Sequence, residues 1–295
     1  MPATINPLRY PGAKRQLIPY IEKLLSVNNL TGSTFYEPYA GSAVVGLELL
    51  QKGIINKLIL VEKDILIYSF WRCVFEHTTE LCKRIEETAI DIETWKALKP
   101  LRDVKHCDDA NLLDLGFAGL FFNRTNFSGI LNANPIGGIN QTSSYKINCR
   151  FNKALIISLI EKLSLLNEKI ELYWDDAINF MNNTKKNFLK ETSFVYFDPP
   201  YFVKGERLYR HYYSKSDHKA LANFVRENKH FDWLISYDDD PYICGLYSGF
   251  GAKYRPFYLD YTVSSKQRSK GKELLISNLP LPPITINRSN IVENA

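Results

Sequence analysis

The sequence predicts an α/β protein: a doubly wound sheet, interrupted after its second strand by a mainly helical segment. Three observations lead there. Short apolar strands alternate with helical stretches near the start of the chain and again through its second half. That rhythm stops between about Tyr68 and Asn152, where helical stretches occur with no strand between them. The most apolar strand, Phe194-Val195-Tyr196-Phe197, reads as a buried parallel strand and runs directly into Asp198-Pro199-Pro200-Tyr201.

Taken in order, Ser33 to Glu37 reads as the first strand, and the loop Pro38 to Ser42 leads into an apolar helix, Ala43 to Gln51. Lys57 to Val61 is a second strand ending at Glu62. A helix is expected over Asn111 to Phe122, followed by a stretch from Asn123 to Asn148 rich in Asn, Gly, Ser and Thr, which reads as a long loop or irregular hairpin. A loop of that length inside a compact domain is usually functional or disordered. The α/β rhythm returns with a helix from Lys153 to Leu166 and strands at Ile170 to Tyr173 and Ser193 to Phe197. A helix from Ser216 to Asn228 and strands at Phe231 to Ser236, Arg255 to Tyr261 and Glu273 to Asn278 complete the pattern, and the last residues form a proline- and polar-rich tail.

At 295 residues the chain has room for one large domain or two modest ones. A hydrophobic share of 45% with 23% charged residues is that of a soluble globular protein, and no stretch reaches the roughly 20 apolar residues that span a bilayer. Met1 to Arg9 lacks the apolar core of a secretion signal, and five cysteines stand singly without a CxxC pair. The expectation is an intracellular, reduced chain with neither a zinc site nor a disulfide framework. The net charge of +5 permits a polyanionic partner without requiring one.

The corner Asp198-Pro199-Pro200-Tyr201 carries the most chemistry. Ligands of open α/β sheets bind outside the carboxyl ends of the strands. Here such an end offers a carboxylate acceptor, carbonyls fixed by proline and an aromatic ring, a set suited to a planar molecule with an exocyclic amino group, such as adenine. The plainer alternative is a strand ending in a proline turn. At the end of the first strand, Glu37-Pro38-Tyr39-Ala40-Gly41-Ser42 places a glycine where backbone can approach a ligand at a helix start. Roughly 20 residues on, Glu62 stands where an acid suits ribose hydroxyls. Together they indicate a nucleoside ligand without a long phosphate cradle, against an ordinary strand-turn-helix. Near the N-terminus, Arg9-Tyr10-Pro11-Gly12-Ala13-Lys14 puts a lysine after a Pro-Gly turn, able to bring an ammonium beside a carboxylate or to sit solvated on the surface.

In this order the motifs resemble the DNA adenine methyltransferase (Dam) family, the alpha-ordered group of amino-methyltransferases, over about residues 5 to 280. The resemblance implies a Rossmann-like S-adenosylmethionine-dependent methyltransferase sheet, made by residues 1–67 and 153–280, with a target-recognition domain at 68–152 and a loose tail at 281–295. It implies S-adenosylmethionine as donor, with Tyr10 and Lys14 on its adenine side and carboxylate region, Glu37, Pro38, Gly41 and Ser42 in the donor loop, Glu62 on the ribose and Asp176 on the adenine, although Asp175 is adjacent and equally acidic. Ala13 and Ala43 replace glycines of the family pattern.

The expected reaction is methyl transfer to N6 of an adenine in double-stranded DNA. The Asp198 carboxylate and the Pro199 carbonyl would each accept one amino N–H, with Tyr201, and Phe202 beside it, stacking on a base flipped out of the helix. On the DNA side, Asn123-Arg124-Thr125-Asn126-Phe127-Ser128-Gly129-Ile130-Leu131 resembles the family's recognition hairpin. Arg124 can contact phosphate or fold internally. Phe127 and Ile130 can wedge between bases or pack as satellite core. Arg9 can read a first base. Asn132 stands where relatives specific for GATC carry arginine, so that target is not implied. Basic residues at Lys204, Arg207, Arg210 and Lys215, and at Lys266, Arg268, Lys270 and Lys272, either hold phosphates or form a solvated face. The five histidines show no ligand spacing and read as structural or surface residues. The alternatives are an amino-methyltransferase acting on another base or on RNA, and a catalytically silent DNA-binding relative. The resemblance also implies a cytoplasmic protein of bacterial or phage origin, with a separate restriction endonuclease as a potential partner.

Overall fold

The computed structural model describes residues 6–9, 12, 14–184, 192–203, 205, 210–249, 251–264 and 267–283; for 257–264 and 267–272 it describes the backbone alone. Helix α1 (Ile18–Val27) precedes β1 (Thr34–Glu37), α2 (Val44–Gln51) and β2 (Lys57–Glu62). Then come α3 (Ile65–Glu76), α4 (Thr78–Glu87), α5 (Ile92–Leu98), α6 (Leu112–Thr125) and α7 (Lys153–Ser164), with no strand among them. The chain continues through β3 (Ile170–Trp174), α8 (Ala177–Thr184), β4 (Ser193–Phe197), α9 (Lys215–Glu227), β5 (Asp232–Asp238), α10 (Pro241–Tyr247), β6 (Lys253–Ser264) and β7 (Gln267–Ser277).

These strands form one sheet in the order β3-β2-β1-β4-β5-β7-β6. The first five are parallel, β7 runs antiparallel to β5, and β6 pairs with β7 as a long antiparallel edge. Strand order reverses between β1 and β4, the switch point at which ligands bind in open α/β sheets. The sheet separates two apolar layers by strict alternation. Leu58, Leu60, Phe194 and Tyr196 join the helices of one face, whereas Ile59, Val61, Val195 and Phe197 join those of the other. Every residue of β4 is buried, which is why its sequence is continuously apolar.

The helical segment after β2 is rooted in the sheet. Helix α3 runs through residue 68, and its Leu66, Phe70 and Trp71 belong to the same core cluster as Phe35 and Leu58. Helix α6 reaches Thr125 rather than Phe122, so Asn123, Arg124 and Thr125 are helical and the following loop begins later than the composition indicated. The poor helix propensity of Asn123 and Thr125 is offset by side-chain bonds, Asn123 to the Arg9 backbone and Thr125 back to the Phe121 carbonyl, while Arg124 reaches the Pro7 carbonyl. The chain after β7 is also tied down at first, because Tyr20 donates to the Pro282 carbonyl and Asn28 to that of Pro280. Residues 284–295 lie outside the described residues. No helix among the described residues is long and apolar enough to cross a membrane.

Candidate active site

Adjacent parallel strands each end in an acid. Glu37 closes β1, Glu62 closes β2, Asp198 follows β4, and Asp176 lies beyond β3 at the start of α8. All four line one open cleft, together with Gly41, Ser42, Asp64 and Pro200. Of the adjacent acids, Asp176 lines the cleft and Asp175 does not. Asp176 pairs with Lys63 at 3.0 Å and caps α8 by accepting from the Ile178 N–H.

Backbone geometry builds the loop between β1 and α2. Gly41 has φ +47° and Ala43 φ +48°, both left-handed. The second value puts an alanine where glycine is favoured, since its Cβ costs about 1 kcal/mol in that region. Helix α2 has no side-chain cap at Ala43. Instead Glu37 reaches over from β1 and accepts from the Gly46 N–H at 3.0 Å. Glu62 accepts from the Gly41 N–H at 2.8 Å and the Asp64 N–H at 2.7 Å, and Trp71 of α3 donates to the Gly41 carbonyl at 2.8 Å. Burial pushes Glu37 up to about 8 against the Gly46 bond, with Asp198 adding to the rise. Burial pushes Glu62 up to about 7, with Asp64 adding to it and the N–H groups of Asp64, Gly41 and Lys63 opposing.

Asp198 sits in a network rather than alone. Lys14, 2% exposed, places its ammonium 2.8 Å from Asp198 Oδ1, and Ser236 donates to the same oxygen at 2.8 Å. Ser236 in turn accepts from the Tyr196 hydroxyl. Among the described residues no hydrogen bond reaches Oδ2, and Asp198 is 21% exposed at the cleft, so Oδ2 is left to accept from a ligand. Burial opposes the charge on Lys14, but Asp198 and Glu273 outweigh it and hold the ammonium well above its ordinary pKa.

This arrangement corrects two expectations. Lys14 donates to Asp198, to the Tyr201 hydroxyl and to the Gly12 carbonyl, which uses its three N–H groups and leaves none for the carboxylate of a donor molecule. Tyr201 is 7% exposed, its ring lies under the Lys14 ammonium and its hydroxyl bonds Glu273. It is a buried strut, not an open platform for a base. Phe202 is already stacked on Tyr242 with ring centroids 5.0 Å apart.

Beyond the corner the chain returns over the cleft. Arg210 pairs with Asp64 at 3.2 Å and donates to the Arg102 carbonyl, so it braces the cleft and does not present its charge to phosphate. His211 lines the cleft, and Tyr213 joins Tyr39 hydroxyl to hydroxyl at 2.9 Å. Burial, with Arg210 and Lys63 against Asp64, lowers the pKa of His211. Sequence spacing gave no sign of His211 or Tyr213; Tyr39 lay inside the Glu37 to Ser42 motif without a role of its own. Glu273 did leave one, as an acid opening an apolar strand. Tyr10, Ala13, Lys204, Arg207 and Lys266 lie outside the described residues, as do the side chains of Arg268, Lys270 and Lys272; Lys215 is exposed.

The last turn of α6 and the loop after it turn their polar residues inward. Asn123 bonds the Arg9 backbone both ways and the Gly129 carbonyl. Arg124 donates to the Pro7 and Asn6 carbonyls, which resolves its two readings in favour of the internal one. Asn126 donates to the Ile130 and Leu131 carbonyls and accepts from Trp95. Gly129 is required where it stands, because a Cβ there would lie 2.0 Å from the Arg9 carbonyl oxygen. Phe127 is 68% exposed, Ile130 is half-buried and Asn132 is exposed. Arg9 is half-buried, and burial with Arg150 nearby lowers its pKa.

An adenosyl sulfonium fits this cleft chemically. Its ribose hydroxyls and amino groups are donors, and the cleft floor consists of carboxylates and turned backbone. Among the described residues no group of His, Cys, Asp and Glu could hold a metal ion. The family model for D12 class N6 adenine-specific DNA methyltransferases matches residues 10–256. The chain is similar to the Type II methyltransferase M1.LlaDCHI of Lactococcus lactis subsp. cremoris, at 23% identity over 286 residues, covering 92% of this chain and 94% of the relative. Among solved structures it is similar to a candidate RNA methyltransferase of Pyrococcus horikoshii (10% identity, TM-score 0.42, 91% and 84% of the two chains). A candidate methyltransferase of Escherichia coli gives 12% identity and a TM-score of 0.37 over 92% of each chain.

Proposed function

The chain belongs to the D12 class N6 adenine-specific DNA methyltransferase family, with S-adenosylmethionine as its methyl donor, and on that footing we propose that it methylates an adenine flipped out of double-stranded DNA. The observation that carries this reading is the orientation of Asp198. Lys14 and Ser236 both hold Oδ1, which leaves Oδ2 at the cleft to receive an amino group.

Bound in the cleft, S-adenosylmethionine supplies an electrophilic methyl group. What this chain contributes is position. Glu62 would accept from the ribose hydroxyls, Asp176 from the adenine amino group, and the Glu37 to Ser42 loop would let backbone approach the donor. The N6 lone pair of adenine is delocalised into the ring. Acceptance of its two N–H bonds by Asp198 Oδ2 and the Pro199 carbonyl draws the nitrogen toward tetrahedral geometry and aims the lone pair at the methyl group. As the N–C bond forms the methyl–sulfur bond would break to leave a neutral thioether; the methylated cation is acidic and passes a proton late through Asp198 to solvent, so Asp198 need not be a strong base, and no covalent enzyme intermediate forms.

Phe127 is the wedge that fills the space of the extruded base, with Ile130 packed behind it. Arg9 and Asn132 supply donors for base edges. The Type II relative supports a pairing with a separate restriction endonuclease. Incubation with labelled S-adenosylmethionine and unmethylated genomic DNA, followed by digestion to nucleosides, should yield N6-methyladenine. Asp198→Ala should lower the rate by at least about 10³-fold while sparing DNA binding. Methylated cytosine, label entering RNA alone, or normal turnover in the variant would refute the proposal.

A further inference from the structure

Glu273 is 1% exposed, near the end of β7 and opposite Asp238 of β5 in the antiparallel ladder. It touches neither face of the cleft. The Tyr201 hydroxyl donates to its Oε1 at 2.9 Å, and its Oε2 lies 3.8 Å from the Lys14 ammonium. Its register partner Asp238 accepts from the N–H groups of Phe202 and Val203 at 2.9 and 3.0 Å. The residues that follow Asp198 are therefore gripped twice, by backbone on Asp238 and by side chain on Glu273.

We propose that Glu273 is a positioning residue for methyl transfer, acting through Lys14 and Tyr201 on the carboxylate of Asp198. The proposal deepens the reading of Asp198 as acceptor and rests on it. A lysine side chain has four rotatable methylenes and no fixed direction of its own. Lys14 can orient Asp198 only if something orients Lys14. Tyr201 does so by accepting one of its N–H bonds, and Tyr201 is fixed because its own proton goes to Glu273. The charges work the same way. A single buried ammonium serves two carboxylates, so Glu273 draws on the cation that Asp198 also uses, and Asp198 Oδ2 keeps more acceptor strength toward the amino group. A purely structural acid would need only to balance Lys14. The hydroxyl relay gives it a direction as well.

The test is a cycle of Glu273→Gln, Tyr201→Phe and the double variant, assayed with labelled S-adenosylmethionine on unmethylated genomic DNA. Thermal melting and donor affinity by equilibrium dialysis are measured on each. Glu273→Gln should lower kcat by about 100-fold, the scale for a displacement of about 1 Å at a reacting group, with donor affinity kept. The double variant should be little worse than either single, because Glu273→Gln removes the charge at the end of the relay and Tyr201→Phe removes the hydroxyl that transmits it. A Glu273→Gln enzyme with wild-type kcat overturns the proposal. So do additive losses, or a fall in kcat matched by an equal fall in donor affinity. Should Glu273→Gln fail to fold, Tyr201→Phe, which removes a single hydroxyl, decides alone: reduced kcat with donor affinity kept supports the relay, and wild-type kcat refutes it. Asp198→Ala run in parallel separates the two levels. If it stays active, the acceptor reading fails; if it is dead while Glu273→Gln is normal, only the relay fails.

Discussion

At the ends of β1 and β2, Glu37 and Glu62 are buried with their oxygens on backbone N–H groups and with acceptor capacity left over for a cleft. At the end of α6, Asn123, Arg124 and Asn126 are buried as deeply, yet their bonds run to the chain itself: to the N-terminal segment and across the loop that follows. The same loop turns Phe127 outward. One region thus buries acids to face a ligand; the other buries polar groups so that an apolar ring can face solvent. The difference teaches that depth of burial does not mark a functional polar residue. What marks it is acceptor or donor capacity that the chain leaves unspent.

The largest effect that would break this contrast concerns Arg124. Arg124→Met strips the Asn6 and Pro7 carbonyls of a charged donor, and should cost about 3 kcal/mol, seen as a lower melting temperature. The Asn6 to Arg9 segment would loosen with it, because Asn6 also bonds the Ser42 carbonyl in the donor loop. If the variant melts like the wild type and loses only DNA affinity, Arg124 faces outward in the working enzyme and the contrast fails.

A smaller effect sharpens the other half. Phe127 is exposed, so Phe127→Ala should leave melting unchanged. It should raise KM for duplex DNA about tenfold, or ~1.4 kcal/mol, with a lesser rise on a single-stranded oligonucleotide that needs no wedge. Equal rises on both substrates would make Phe127 a general contact and not a wedge.

How much of this was legible in the sequence follows from the same contrast. Strand β4 is legible to the residue because a central parallel strand is apolar on both faces. The antiparallel edge β6–β7 extends well beyond its apolar runs, since pairing continues through polar residues that carry no such signal. Glu37, Gly41 and Glu62 were readable because each sits at a strand end beside its own turn. The Lys14–Tyr201–Glu273 relay was not, because its contacts span 187 and 72 residues and depend on the position of β7 beside β5. Arg124 shows the same limit: its motif marks the loop, but the carbonyls it bonds lie 117 and 118 residues away.

An effect no larger than that of Phe127 concerns which buried acid meets the donor. Glu62 has a pKa of about 7 and Glu37 of about 8, both raised from 4.5 chiefly by burial. The protonated forms are therefore favoured in the folded chain. Their contribution to stability is fully present below the unfolded value of 4.5 and is lost as pH rises through 7 and then 8. A ribose diol donates hydrogen bonds and so selects the ionised form. Donor binding should then tighten by about tenfold between pH 6 and pH 8, as the ionised fraction of Glu62 grows, measurable by equilibrium dialysis. Glu62→Gln should flatten that slope and Glu37→Gln should leave it, because Glu37, pushed up to about 8, keeps its proton over most of that range. The reverse result would make Glu37 the ligand's acceptor and Glu62 the structural acid, and the cleft would have to be read the other way round.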